Sequence, residues 1–85
     1  MLDKEVPTME KVREKSSEVV RKAMKIDGLT QKELAAKCGK GTQSYVGNAL
    51  QNSKGMGVDK FVEFMTAMGY DVVVRRGDVE MVVIG

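Results

Sequence analysis

Residues 29–51 read LTQKELAAKCGKGTQSYVGNALQ and contain two short helical patterns separated by Gly39 and Gly41. Thr30, followed three residues later by Glu33 and then by an apolar run, is the pattern of a capping box at a helix N-terminus. The pattern predicts a short helix over residues 31–38. A further short helix is expected after Thr42, whose hydroxyl suits an N-cap. Two short helices joined by a tight, glycine-containing turn are typical of a helix-turn-helix unit.

The residue types inside this stretch agree with that geometry. Ala35 is small enough to lie where the two helices cross, and Gly39 and Gly41 allow the sharp chain reversal between them. Val46 is an aliphatic anchor for the second helix. The N-terminal end of that helix carries short polar side chains: Thr42, Gln43, Ser44 and Asn48. A slim polar helix end of this kind can enter the DNA major groove, which is about 12 Å wide.

Residues 29–39 and 42–48 resemble the Cro/cI (XRE) family of helix-turn-helix regulators, which writes L-T-Q-x-E-L-A-x-K-x-G and then S/T-Q-S-x-V/I-S-x-I. The resemblance covers residues 29–52, and the turn is one residue longer than the commonest family form. It implies a lambda repressor-like, four-helix DNA-binding domain. The implied partner is double-stranded DNA.

The resemblance also implies base contacts from the second motif helix, by Gln43, Ser44, Gly47 and Asn48. Gln43 is the leading base reader, because one amide can bond both N6 and N7 of adenine. For Gly47, close approach to the groove floor and simple tolerance of a glycine remain equal alternatives.

Phosphate contacts are expected from five residues: Gln31, Thr42, Tyr45, Lys40 and Lys54. Thr42 and Gln31 open helices, where amide N–H groups and the helix dipole favour anions. For Tyr45 the alternative is a ring packed beneath the turn.

Helical periodicity extends on both sides of the motif. A first helix is predicted from an N-cap at Thr8 to Asp27, with Gly28 as a left-handed terminator. A fourth helix is predicted over residues 58–68. Its apolar stripe is expected to contain Phe61, Val62, Met65 and Met68.

The C-terminal part changes to β-branched residues, and Gly77-Asp78 forms a two-residue turn signal. A β-hairpin is therefore predicted over residues 70–84, with Arg75 opposite Glu80. The hairpin is apolar on both faces, and a lone two-stranded hairpin is marginally stable in water. A homodimer with a joint, four-stranded sheet is expected, with a dimerisation face made of Val72, Val74, Met81 and Val83. Such a dimer sets the two motif helices about 34 Å apart, which matches a palindromic operator.

Composition bounds the remaining possibilities. The 85 residues make one small domain of 9.3 kDa, mostly α with a C-terminal β-hairpin, and we place the helix-turn-helix at residues 30–51. There is no His and a single Cys38, so the common general base, a disulfide and a cysteine zinc site are all excluded. We expect no catalytic residue, no metal, no cofactor and no membrane partner. The lone thiol and the absence of a signal peptide favour the cytoplasm.

The net charge of +2 is unevenly distributed. Residues 1–28 carry seven basic and six acidic groups, a net charge of +1. Residues 29–57 carry four basic groups and one acidic group, a net charge of +3. Residues 58–85 carry three basic and five acidic groups, a net charge of −2. The excess of positive charge lies on the motif. On charge alone, an ordinary solvated surface remains the alternative to a polyanion partner. The resemblance to the Cro/cI family implies a sequence-specific DNA-binding regulator, which we expect to act as a repressor. The alternative is an antitoxin or another module that uses this scaffold to bind and inhibit a partner protein.

Overall fold

The computed structural model describes residues 14–85 of the chain. The elements follow in the order α1 (Ser16–Asp27), α2 (Gln31–Lys37), α3 (Ser44–Gln51), α4 (Val58–Ala67), β1 (Val72–Arg76) and β2 (Val79–Val83). The predicted layout, helices followed by a C-terminal antiparallel hairpin, is confirmed. No helix in the described residues is long and apolar enough to cross a membrane.

The first helix is shorter than predicted. Lys15 is extended (φ −66°, ψ 152°), so α1 begins at Ser16, and the predicted N-cap Thr8 lies outside the described residues. The Glu18 carboxylate accepts a hydrogen bond from the Lys15 N–H at 3.2 Å, which caps the first turn. The C-terminus is as expected, because Gly28 adopts the left-handed conformation (φ 68°) and its N–H reaches the carbonyl of Lys25.

The capping box of α2 is confirmed in both directions. The Thr30 hydroxyl accepts from the Glu33 N–H at 3.1 Å, and the Glu33 carboxylate accepts from the Thr30 N–H at 2.8 Å. The Thr30 N–H and, next, the Thr30 hydroxyl hold the pKa of the Glu33 carboxyl below its ordinary value, because hydrogen bonding to the carboxylate favours its ionised form. The helix start is therefore fixed by residues adjacent in sequence.

The start of α3 differs from the prediction. Gln43, rather than Thr42, immediately precedes the helix, and no side chain in the described residues caps it. The Thr42 hydroxyl lies 2.8 Å from the Ser44 hydroxyl, so it bonds a side chain instead of a backbone N–H. Gln43 already has helical dihedral angles (φ −68°, ψ −20°), and the carbonyls of Thr42 and Gln43 accept from the N–H groups of Tyr45 and Val46.

The core lies where the four helices meet. Its buried members are Val20, Ala23, Met24, Leu34, Ala35, Val46, Leu50, Phe64 and Met65. Ala35 and Val46 occupy the contact between α2 and α3, as predicted. The predicted stripe of α4 omitted Phe64, which is fully buried, while Phe61 is only half-buried. Phe64 is on the side of α4 that meets Tyr45 of α3, so α4 buries a broader face than a single stripe.

The hairpin has the predicted register, with Arg75 opposite Glu80 and Val74 opposite Met81. Gly77 begins the turn with φ 58°, a conformation that suits glycine at the first position of a tight hairpin turn. Val72 packs against the helical core, whereas most of the hairpin is exposed. Burial therefore anchors one end of the hairpin and leaves the rest solvent-facing.

Candidate nucleic-acid interface

Helix α3 separates a buried face from an exposed polar one. Val46 and Leu50 are buried against the other helices. Gln43, Ser44 and Asn48 are exposed. Ser44 and Asn48 are four residues apart and so share one helix face. Gln43 immediately precedes the helix beside Ser44, and we call these three exposed residues, the predicted base readers that carry side chains, the α3 edge.

The N-terminus of α3 adds a polarity favourable to anions. Its first turn carries the positive end of the helix dipole. The N–H groups of Tyr45 and Val46 bond the carbonyls of Thr42 and Gln43, and the side chain of Gln43 does not cap the helix. Thr42 and Ser44 are both exposed there, and their hydroxyls are hydrogen-bonded to each other. This end of α3 can donate to a phosphate group.

Gly47 is in close contact with the start of α2. A Cβ placed on residue 47 would lie 2.9 Å from Oε1 of Gln31, closer than ordinary contact allows. Gln31 is half-buried, since its amide lies across the bare backbone of α3. The close approach at Gly47 is therefore made by Gln31 of the same chain. This contact places the amide of Gln31 beside the α3 edge.

Tyr45 is held by the protein on several sides. Its hydroxyl donates a short hydrogen bond to the Glu63 carboxylate of α4. Its ring meets Phe64 edge-on, with centroids 5.9 Å apart and an interplanar angle of 90°. Of the two alternatives for Tyr45, the structure therefore has the packed ring rather than a hydroxyl directed at phosphate. The physical reason is that α4 supplies a carboxylate within reach.

Two lysines lie over the ring of Tyr45. Lys60 Nζ is 3.8 Å from the ring centroid and Lys40 Nζ is 5.1 Å from it. Cation–π attraction thus holds two positive charges beside the N-terminal end of α3, one from the α2–α3 turn and one from α4. Lys40 was predicted to contact phosphate, whereas Lys60 was not, because only the tertiary fold brings it here.

Further basic residues accompany Gln31. Arg21 and Lys25, one helical turn apart on α1, line a shallow hollow together with Gln31 and Leu50. Both are exposed. Neither residue was predicted to contact DNA, although their four-residue spacing on one helix is a signal in the sequence that points to a shared basic face.

Lys54 lies beyond the other end of α3. Its backbone N–H donates to Oδ1 of Asn52 at 2.9 Å, which orders the loop before α4. Its neighbours in a second hollow include Lys15 and Ser16 at the start of α1. Positive side chains are therefore present near both ends of α3.

Cys38 is half-buried at the end of α2. Burial, and next the negative charge of Glu63, raise the pKa of its thiol. Such a thiol is a poor nucleophile at neutral pH. Within residues 14–85 no group of three or more His, Cys, Asp or Glu side chains could hold a metal ion.

The four residues predicted for dimerisation fall into two pairs. Val72 and Val83 face each other at the anchored end of the hairpin and are half-buried. Val74 and Met81 face each other farther out and are 46 % and 59 % exposed. On the opposite face, Val73 and Val82 are exposed as well, so the hairpin presents apolar surface on both sides.

Comparison with known proteins finds no matching family model, no matching curated protein and no matching solved structure.

Proposed function

We propose that this chain is a sequence-specific DNA-binding transcriptional regulator with a lambda repressor-like helix-turn-helix. It acts in the cytoplasm as a homodimeric repressor that occupies a palindromic operator. The observation that carries the proposal is the α3 edge: three polar side chains are exposed on a short helix whose other face is fixed in the core.

Base reading is assigned to this edge on chemical grounds. The amides of Gln43 and Asn48 each present a donor and an acceptor, which is the pattern that adenine requires in the major groove. Ser44 can donate or accept and is therefore a less selective reader. Gly47 adds no side chain between them, which keeps this part of the helix slim.

Phosphate binding is assigned to the surroundings of the edge. Thr42 and the α3 amides form one candidate contact, and Gln31 forms another at the start of α2. Lys40 and Lys54 add positive charge, as do the newly located Arg21, Lys25 and Lys60. Neutralising phosphates releases counterions, so operator binding weakens steeply as salt rises.

The experiment is a gel shift on DNA from upstream of the chain's own gene, with a scrambled duplex as the nonspecific reference. The double variant Gln43→Ala/Ser44→Ala is expected to lose the preference for the upstream DNA while retaining most nonspecific binding. No retardation of the upstream DNA at low salt would contradict the proposal.

The alternative function, an antitoxin or other inhibitor that binds a partner protein, is favoured by one observation. The hairpin exposes Val73, Val79, Met81 and Val82 without a covering layer in the described residues. Contiguous exposed apolar residues mark protein-binding surfaces. Co-purification of a stoichiometric partner that is lost on Met81→Lys but kept on Gln43→Ala would support this alternative.

A further inference from the structure

The hairpin is suited to a protein partner rather than to nucleic acid. Its charged residues are Arg75, Arg76, Asp78 and Glu80, two of each sign, so it carries no net charge. Its remaining exposed residues are largely apolar. The hairpin therefore has no net electrostatic attraction for phosphate, and an edge strand with apolar side chains favours the addition of another strand.

The backbone pattern shows which groups an added strand would meet on β2. In a hairpin with a two-residue turn, the pair that flanks the turn is hydrogen-bonded, and such pairs alternate along the ladder. The flanking pair is Arg76 and Val79. It follows that Met81 bonds inward to β1, while Glu80 and Val82 direct their N–H and C=O groups away from it.

Charge distinguishes the two edges of this two-stranded sheet. Two antiparallel β1 strands paired about Val74 would bring four arginines into one seam, with Arg75 and Arg76 of each copy opposite Val73 and Val72 of the other. Of these arginines, only Arg75 faces a carboxylate, that of Glu80, in its own hairpin. On β2 the one charged residue is Glu80, which already faces Arg75 of its own hairpin. β1 is also the strand that lies against α4. The β2 edge is therefore the more favourable one.

We propose that a second copy of this chain adds to the β2 edge, antiparallel, with Met81 on the twofold axis. This inference rests on the proposed homodimer and specifies how it forms. Met81 is the central residue of Val79–Val83, so this register alone pairs the strand over its whole length. If the register shifts by two residues in one direction, Glu80 faces Glu80 of the second copy. If it shifts by two residues in the other direction, Val79 extends past the end of the second copy's β2 and has no partner residue in that strand.

In this arrangement Glu80 and Val82 of one copy form the hydrogen-bonded pairs with Val82 and Glu80 of the other. The row Val74–Met81–Met81–Val74 runs across a four-stranded sheet and forms a continuous apolar centre on one face. Val79 meets Val83 of the second copy. Side chains that are now about half-exposed gain neighbours on the side where the described residues offer none.

Cysteine cross-linking tests this geometry on the full chain. Met81 would face its own copy in a non-hydrogen-bonded pair, where Cα atoms are about 4.5 Å apart, within disulfide range. Met81→Cys is therefore expected to convert the dimer to a covalent one under mild oxidation. Val74→Cys is the matched control, because Val74 lies opposite Met81 on the same face with similar exposure. It is expected to stay uncross-linked, as is the wild-type chain with Cys38 alone.

Cross-linking by Val74→Cys alone would place the interface on β1 and overturn the inference. Cross-linking by both variants would indicate hairpins packed face to face, and cross-linking by neither, or a wild-type monomer in sedimentation, would also overturn it. A gel shift on the same samples separates this result from the proposed function. A Met81 cross-link without operator binding would support the dimer and refute the DNA-binding proposal. Operator binding without a Met81 cross-link would support the DNA-binding proposal and refute this dimer.

Discussion

The amide of Gln31 lies across Gly47, with Oε1 only 2.9 Å from the place where a Cβ on residue 47 would be. The contact joins the first residue of α2 to the middle of α3 and orients a candidate phosphate ligand beside the candidate base readers. A glycine lowers the stability of a helix by about 1 kcal/mol relative to alanine. At this position, local helix stability is therefore lower, and the contact with Gln31 is possible.

Gly47→Ala is expected to leave the free energy of unfolding within about 1 kcal/mol of the wild type, because the gain in propensity offsets displacement of the flexible Gln31 side chain. Operator affinity is expected to fall, since the amide of Gln31 is moved. Urea unfolding and a gel shift on the same variant measure both effects. In a Gln31→Ala background, Gly47→Ala should stabilise the fold and have little further effect on binding. A full additional loss of binding in that background would show that Gly47 itself approaches the groove.

Tyr45→Phe is expected to lower the free energy of unfolding by roughly 1–2 kcal/mol, because the hydrogen bond to the Glu63 carboxylate is lost. The slope of log affinity against log salt concentration should stay unchanged, since the hydroxyl is directed at α4 rather than at DNA. A slope reduced by about one, with unchanged stability, would assign the hydroxyl to phosphate instead.

Lys25→Ala is expected to weaken operator and nonspecific binding alike and to reduce the salt slope by about one, as for a single phosphate contact. Lys22→Ala is the matched control on the same helix, because Lys22 forms an ion pair with Glu14 (Nζ–Oε2 2.7 Å) and does not line the hollow with Gln31. Equal salt slopes for Lys25→Ala and Lys22→Ala would show that α1 is not part of the DNA interface.

Thr30→Ala is expected to cost about 1 kcal/mol of stability through loss of the α2 cap. The Glu33 side of the box depends on pH. Its folded pKa is lowered, so its contribution is present above the ordinary glutamate pKa and is lost as the pH falls through the folded value. Urea unfolding should therefore show wild type more stable than Glu33→Gln at neutral pH, with the difference vanishing in acid. A difference that does not change with pH would contradict this assignment.

Local patterns predicted the local features well. The Thr30–Glu33 box and the Gly77-Asp78 turn depend on near neighbours in the chain, and both are confirmed. The exposure of Asn48 followed from helical periodicity, since Val46 and Leu50 must point inward. Gln43 has the same helical phase as Val46 and Leu50, and it is exposed because it precedes the first helical residue. Contacts between distant residues were not predictable: Tyr45 and Glu63 are 18 residues apart, and no periodicity indicates that α4 offers a carboxylate there. The start of α1 at Ser16 also escaped prediction, because the apolar spacing continues through the extended residue Lys15.

The most direct test of the central claim, that the α3 edge reads bases, is the ratio of operator to nonspecific affinity for Gln43→Ala. Loss of a bidentate adenine contact should lower this ratio by roughly 5-fold to 150-fold, corresponding to about 1–3 kcal/mol, with nonspecific affinity nearly unchanged. Gln51→Ala, the same truncation at the other end of α3, should leave the ratio close to that of the wild type. Equal losses of operator and nonspecific affinity in Gln43→Ala would contradict the account.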